Sequence, residues 1–436
     1  MRDITSEVWE NFSSEYSKEI INADMYDFKV KTTIRGKPFY YPPTLLNHNI
    51  RDEIENISLR LLDLVSKIPE TYFSGDIIAW IKYLGYDDYE AHLLKNLLSE
   101  KFLKRALLFT RADFILTENG PKLCEINVAA TVGGMSGNEN YISSLQETIF
   151  FKHISRTDIK VFFDSPESHW GNALHSTREN SLSYSMPVMF EALASALDKS
   201  PMRKAFVDMA TKVGFKVISG IIQELDVRED GVYVDDIRIN VVYTRFTWDE
   251  LKRYVPFELI SALSEADNHG LIDFISPPLH TLFDNKKNMV LLSSTLNISE
   301  KDIISDVIPE TIVLDNETCQ RVIEQKNEWV IKPACDYGGK GVFIGSEFLE
   351  ENWAIKITTL LKEKASYIAQ RKIMEFSEFT DPFGERCAIS AGGMVFNGVF
   401  AGVYLRRLNL KSHKLVINCA QGAERAPAIF FKKGEF

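Results

Sequence analysis

"WVIKPACDYGGKGVFIG", Trp329 to Gly345, is the stretch on which the fold turns. Trp329 to Ile331 favour a strand, and Lys332-Pro333 close it. Gly338, Gly339, Lys340 and Gly341 follow, and Val342-Phe343-Ile344 is strand-forming again. A P-loop needs G-x-x-x-x-G-K followed by Ser or Thr, whereas Gly341 follows Lys340 here. Nor do these glycines open a helix, as they do in a Rossmann turn. A glycine-rich turn between two strands can lay backbone N–H groups over a polyphosphate, with Lys332 as a fixed charge beside it. It can equally be a hairpin connection that needs glycine only for its positive φ. On this stretch alone both readings stand.

Working outward, the 436-residue chain has room for two or three domains and a sizeable core. Its net charge of -11 argues against a nucleic-acid partner, because phosphate-backbone binders carry a basic face. The sequence holds no apolar run of bilayer length, and "MRDITSEVWENFSSEY" lacks the pattern of a secretory signal. The five cysteines, Cys124, Cys319, Cys335, Cys387 and Cys419, are scattered with no C-x-x-C pair, which suits a reducing compartment. The expectation is a cytoplasmic protein without membrane or nucleic-acid partners, acting on small molecules, with a homodimer left open.

Three segments are expected. Residues 1–150 read as a helical region followed by a β-hairpin. "RDEIENISLRLLDLVSKI" and "YEAHLLKNLLSEKFLKRALLF" carry apolar residues at three- and four-residue steps, and "RADFILT" and "KLCEINV" flank a turn at 118–121. Residues 151–285 read as a small α/β unit with a parallel sheet. In it 163–185 is expected to be a boundary or active-site loop, "MPVMFEALASAL" and "MRKAFVDMATKVG" helices, and "FKVISGII" and "NVVYTRF" strands. Residues 286–436 are rich in strands, "KLVINCA" among them, and Asn397-Gly398 marks a hairpin.

Candidate ligands cluster in two places. Glu125 and Asn127, two apart on a strand, share a face, as do Arg111 and Asp113 on the preceding strand. Two carboxylates and an amide form an oxygen set that suits magnesium rather than zinc, and Arg111 is placed to meet developing phosphate charge. Residues 129–140, "AATVGGMSGNEN", read as a loop that approaches a ligand. Lys286 lies shortly before the strand that carries Lys332. It is either a second phosphate grip or a solvated surface lysine. Arg245 is either a carboxylate binder or a surface arginine at a strand end.

Together these pieces resemble the ATP-grasp superfamily, in particular its circularly permuted group that includes glutathionylspermidine synthetase and related peptide ligases. Lys286, Lys332-Pro333, Gly338 to Gly341, Gln370, Arg406 and Asn418 occur in the family's order, and the chain then stops at Phe436. The magnesium segment that would follow is found instead at Arg111, Asp113, Glu125 and Asn127, which a permutation explains. The resemblance implies an ATP-grasp fold with a small preATP-grasp-like α/β domain. It places ATP on Lys286, Lys332, the 338–341 loop with Lys340, and Gln370, and Mg2+ on Asp113, Glu125 and Asn127. Arg111, Arg406 and Asn418 would surround the transferred phosphate. The family's acid after the hinge glutamine is Arg371 here, which leaves Glu375 or Glu378 for the ribose.

The implied activity is ATP-dependent amide-bond formation between a carboxylate and an amine, through an acyl phosphate, with an amino acid or short peptide as substrate. Thr131, Gly133 and Gly134, with Arg245, would line the substrate side. A kinase that leaves the phosphate on its product, or a non-catalytic nucleotide-binding module, are the alternative readings.

Overall fold

The computed structural model describes residues 4–33, 39–195, 202–295, 304–336, 338–373, 379–381, 383–412, 416–419 and 422–433. It is a mixed α/β protein with helices and several sheets. The positions Glu375 and Glu378 lie outside the described residues.

The sheet that organises the molecule joins chain segments nearly 300 residues apart. Phe109–Thr117 pairs antiparallel with Gly120–Val128 on one side and with Arg386–Phe396 on the other. Val399–Asn409 and Glu424–Pro427 complete the order beyond it. The turn of the 386–409 hairpin falls at Asn397-Gly398, both at positive φ (46° and 75°), as a two-residue primed turn requires. Behind this sheet lies the helix His48–Ser66, which hides Ile50, Ile54, Ile57 and Leu61. Close approach needs the bare Cα of Gly393, where a Cβ would lie 2.2 Å from Ser58 Oγ.

A second sheet carries the opening motif. Trp329–Pro333 pairs antiparallel with Phe343–Ile344 and with Tyr367–Arg371, and Thr311–Val313 flanks the latter. The glycines therefore connect two strands, as expected. Trp353 and Ile357 from the helix Glu350–Leu360 pack on Trp329 and Ile331 to close a small separate core.

The third sheet is all parallel: Asp273–Ile275, Val241–Thr244, Val188–Leu193 and Lys216–Ile221 in that order. Here the sequence misleads twice. "MPVMFEALASAL" reads as helix, but Val188–Leu193 is an inner strand of this sheet and Met189 to Leu193 are buried. A strand covered on both faces loses the period-2 signal, leaving an apolar run that looks the same as a buried helix. The polar 163–185 stretch is expected to be irregular, yet Pro166–Ser176 is a helix. Pro166 sits in its first turn, where a missing N–H costs nothing, and Trp170, Ala173 and Leu174 form its buried stripe.

Two smaller departures follow local chemistry. The 89–109 pattern is two helices, Asp88–Asn96 and Glu100–Ala106, because Ser99 Oγ accepts the Phe102 N–H (3.1 Å) and restarts the helix. The described part of "KLVINCA", residues 416–419, is not a strand. No helix among the described residues is long and apolar enough to cross a membrane.

Candidate active site

The acidic hairpin and the glycine loop face one cleft. Its lining includes Asp113, Cys124 and Glu125 from the hairpin, and Lys332, Gly339 and Lys340 from the motif strand and loop. Lys286, Gln370, Arg406 and Asn418 complete it, and the space measures about 970 Å3 with its solvent-filled mouth. A direct bond ties the two elements: Lys332 Nζ donates to the Cys124 carbonyl (2.9 Å) and to Gln370 Oε1 (2.6 Å). In a chain of net charge -11 the lining sets six cations, Lys286, Lys332, Lys340, Arg371, Lys372 and Arg406, against Asp113, Glu125 and Asp336.

Strand register places the first cluster. Arg111 lies opposite Asn127, and Asp113 opposite Glu125. A register shift follows Asp113, so Glu125 and Leu123 oppose consecutive residues of the partner strand and Cys124 is the extra one. That bulge leaves the Cys124 carbonyl to Lys332. Asp113 accepts from Arg111 Nε at Oδ1 (2.6 Å) and from Arg111 Nη2 at Oδ2 (2.8 Å). Asn127 Nδ2 (3.0 Å) and Arg406 Nη2 (2.6 Å) also reach Oδ2. Burial alone would raise the Asp113 pKa, but Arg111 and Arg406 outweigh it and hold it at about 2. On the neighbouring strand Gly392 pairs with Asp113, and a Cβ there would come within 2.7 Å of Arg111 Cδ and 2.9 Å of Asp113 Oδ1. The glycine keeps this face of the sheet clear for the ion cluster.

The lysines sit on the opposite wall. Lys286 Nζ donates to the Asp336 carbonyl (2.8 Å) and lies 3.6 Å from Glu125 Oε2. Its backbone N–H bonds the Ala334 carbonyl (2.9 Å), which fixes the lysine to the base of the glycine loop. Lys286 is 7% exposed, so it is not a solvated surface lysine. Desolvation in the cleft lowers the Lys332 pKa below its ordinary value, and nearby Lys286 adds to the shift. Gly338, Gly339 and Gly341 all take positive φ (72°, 73° and 66°). At Gly341 a Cβ would lie 2.7 Å from Pro333 Cγ, so the loop folds back on the strand that precedes it.

At the far end Arg371, Lys372 and Ile373 follow Gln370 along the lining. The Arg371 guanidinium is committed to Glu310 and Glu328 and stacks on Trp329 (4.3 Å to the ring centre). Arg371 therefore lines the cleft with its charge already paired to Glu310 and Glu328.

A second cavity of about 750 Å3 adjoins the first, and Arg406 and Asn418 line both. Arg111, Asn127, Thr131, Gly133, Asp284 and Tyr404 also line it. Tyr404 lies beneath both guanidinium groups, 5.7 Å from Arg111 Cζ and 5.7 Å from Arg406 Cζ. Gly134, at φ +95°, packs on its ring, and a Cβ there would lie 2.5 Å from Tyr404 Cγ. Arg111 Nη1 donates to the Gly133 carbonyl (2.6 Å). Glu167 accepts the N–H groups of Gly137 (2.7 Å), Asn138 (3.1 Å) and Glu139 (2.9 Å), capping the next helix. The "TVGGM" loop is thereby pinned at both ends.

Arg245 stands apart. It pairs with Glu191, whose side chain is fully buried, and stacks on Phe206 (4.7 Å); it lines neither cavity. Sequence reasoning missed Gly392, Tyr404 and Asp284. The "AGG" of Ala391 to Gly393 inside a strand is the one visible signal, since interior glycines mark close approach.

The oxygen donors on the hairpin suit a hard cation in chemistry, but not equally. Asp113 already accepts from Arg111 and Asn127 and pairs with Arg406, so Glu125 is the hairpin carboxylate left facing the first cavity, while Asn127 lines the second. Among the described residues no three His, Cys, Asp or Glu side chains gather into a metal-binding group.

No family model matches the chain. It is 25% identical over 248 residues to the Frankia alni protein named "Putative glutamate--cysteine ligase 2-3", covering 53% of this chain and 29% of that protein. The chain thus spans less than a third of the curated relative's length. Among solved structures it is similar to the Methylobacillus flagellatus KT protein titled "Putative gamma-glutamylcysteine synthetase". That similarity has a TM-score of 0.46 at 12% identity, over 82% of this chain and 88% of the other. D-cycloserine synthetase DcsG follows at 0.30, with 17% identity over 50% and 67% of the two chains. The ATP-grasp ligase PsnB, complexed with its minimal precursor, also scores 0.30, at 10% identity over 58% and 92%.

Proposed function

We propose that this chain is an ATP-dependent carboxylate–amine ligase of the ATP-grasp type, in permuted order, that forms an amide bond and releases ADP and phosphate. The observation that carries this reading is the meeting of two cavities at Arg406 and Asn418, one rich in lysine and the other able to hold a second reactant.

ATP would lie in the first cavity. Its polyphosphate would run along Lys286, Lys332 and Lys340 under the 338–341 loop, and its base would rest against Gln370 and the backbone of 371–373. The γ-phosphate would then reach Arg406. Its buried Nε has no hydrogen-bond partner among the described residues, so this guanidinium keeps a donor for a transferring phosphoryl group. Mg2+, held by Glu125 and Asn127 with Asp113 behind them, would supply charge that offsets the polyphosphate.

A substrate carboxylate in the second cavity would attack the γ-phosphorus. The new C–O–P bond forms as the bond to the β-phosphate oxygen breaks, and ADP departs. The amine nitrogen then attacks the acyl carbon, loses a proton, and phosphate leaves with the C–O electrons. Arg111 and the Thr131 to Met135 backbone would then stand beside that carbon, where charge builds in the tetrahedral intermediate. Asp113, bonded to both arginines, fixes their position. Closure of the glycine loop would keep water from the acyl phosphate.

The test is product analysis: amino acids supplied in pairs with ATP and Mg2+, scored for ADP and for the mass of the product. An amide formed in step with free phosphate is expected. Phosphate retained on the product would make the chain a kinase, and ATP bound without any ADP would make it a binding module.

A further inference from the structure

The loop that lines the second cavity through Thr131, Val132 and Gly133 is held by a helix that lines neither cavity. That helix, Pro166–Ser176, supplies Glu167 for one end of the loop and Trp170 for the other.

Glu167 takes the far end. Gly137 is the N-cap of the helix Asn138–Glu147 and has no side chain with which to cap it. The first N–H groups of a helix find no acceptor within it. Glu167 reaches across and accepts three in succession, from Gly137, Asn138 and Glu139. Asn138, 1% exposed, turns its amide back into the loop and donates to the carbonyls of Gly134 (2.7 Å) and Met135 (2.8 Å).

Trp170 takes the near end through a relay. Its Nε1 donates to the Tyr243 hydroxyl (3.2 Å), which donates in turn to the Ala130 carbonyl (3.0 Å). Both rings are fully buried, so loss of that hydroxyl takes a partner from two polar groups in a dry interior. Between the anchors lies Gly133, whose carbonyl accepts from Arg111 Nη1 (2.6 Å). Asp113 holds the other two nitrogens of this guanidinium, Nε and Nη2. A shift of the loop is therefore passed to a charged group that lines the second cavity. Misplacing a reacting or orienting group by about 1 Å can cost roughly a hundredfold in rate.

Resting on the ligase reading above, we infer that Glu167 and Trp170 are positioning residues: through Asn138 and Tyr243 they hold residues 130–138 in the shape that sets the Arg111 guanidinium in the second cavity.

The test reads Arg111 directly, in the full chain with isotope-labelled arginine side chains. The Arg111 Nε–H signal, assigned by its loss in Arg111→Lys, should shift and broaden in Glu167→Ala while the other arginine signals hold. Glu167→Gln keeps an acceptor oxygen and should restore most of the Arg111 signal. Misfolding would move every arginine signal; in that case Tyr243→Phe, which removes a single oxygen, gives the decision, and the same selective shift is expected. An unmoved Arg111 signal in a folded variant overturns the inference. Kinetics supply the second arm, with the reactant pair that product analysis identifies. In Glu167→Ala, kcat/KM for that pair should fall roughly tenfold or more while the KM for ATP holds within about twofold. Unchanged kcat/KM for the pair would also overturn it. If no pair yields an amide, the ligase reading fails on its own, and the arginine spectrum still decides whether this helix sets Arg111.

Discussion

The two walls of the cleft treat charge in opposite ways. On the sheet wall Arg111, Asp113 and Arg406 bond one another at 2.6–2.8 Å beside the uncrowded Cα of Gly392. On the opposite wall Lys286 is buried beside the half-buried Lys332, and Glu125 is 3.6 Å from Lys286. The first wall is compensated before any ligand arrives, which is what preorganised groups need. On the second, burial pushes the Lys332 pKa down, the signature of a charge that an incoming anion would stabilise. Arg245 and Glu191 offer a third arrangement: a half-buried arginine paired with a fully buried carboxylate, lining neither cavity.

Substitutions can break or sharpen this contrast. Glu125→Gln removes the carboxylate between the walls. ADP formation should fall by roughly a hundredfold or more while circular dichroism stays unchanged, and normal turnover would remove Glu125 from the site. Arg245→Met leaves the buried Glu191 carboxylate without its charged partner, with the Ser219 hydroxyl still donating to it, so chemical denaturation should show a loss of about 3–5 kcal/mol. Its nucleotide affinity should stay the same; a loss of affinity would tie this pair to the cleft. Lys332→Ala should weaken ATP binding by about 1.5–3 kcal/mol in titration calorimetry, and unaltered affinity would reassign the lysine wall. Gly392→Ala pushes a methyl group into Arg111 and Asp113, and should cost about 1–3 kcal/mol of stability along with activity.

A pH-dependent effect concerns Glu167, whose pKa burial raises from 4.5 to about 7. A raised folded-state value means its stabilising contribution is complete below about 4.5 and is lost as pH rises through 7. Relative to Glu167→Gln, the melting temperature of the unmodified chain should therefore decline between about pH 5 and pH 8. A constant difference would contradict the burial of this carboxyl.

Much of the site was legible because its signals are local. Arg111 and Asp113, and Glu125 and Asn127, share faces by the two-residue period of a strand, and the register confirms both pairs. The glycines of the 338–341 loop announced positive φ, which the structure shows at three of them. Where burial erased periodicity, as in Val188–Leu193, the reading failed, and Arg245, read as either a carboxylate binder or a surface arginine at a strand end, pairs instead with Glu191.

The sequence by itself determined which short elements form and which residue types they carry, because propensity, turn chemistry and alternation act over a few residues. Only the tertiary structure decided that the 109–128 hairpin pairs with Arg386–Phe396 and that Lys332 bonds the Cys124 carbonyl. It likewise decided that Asp284 reaches the second cavity rather than the surface. Such contacts depend on strand pairing and packing between segments hundreds of residues apart, and no local pattern encodes them.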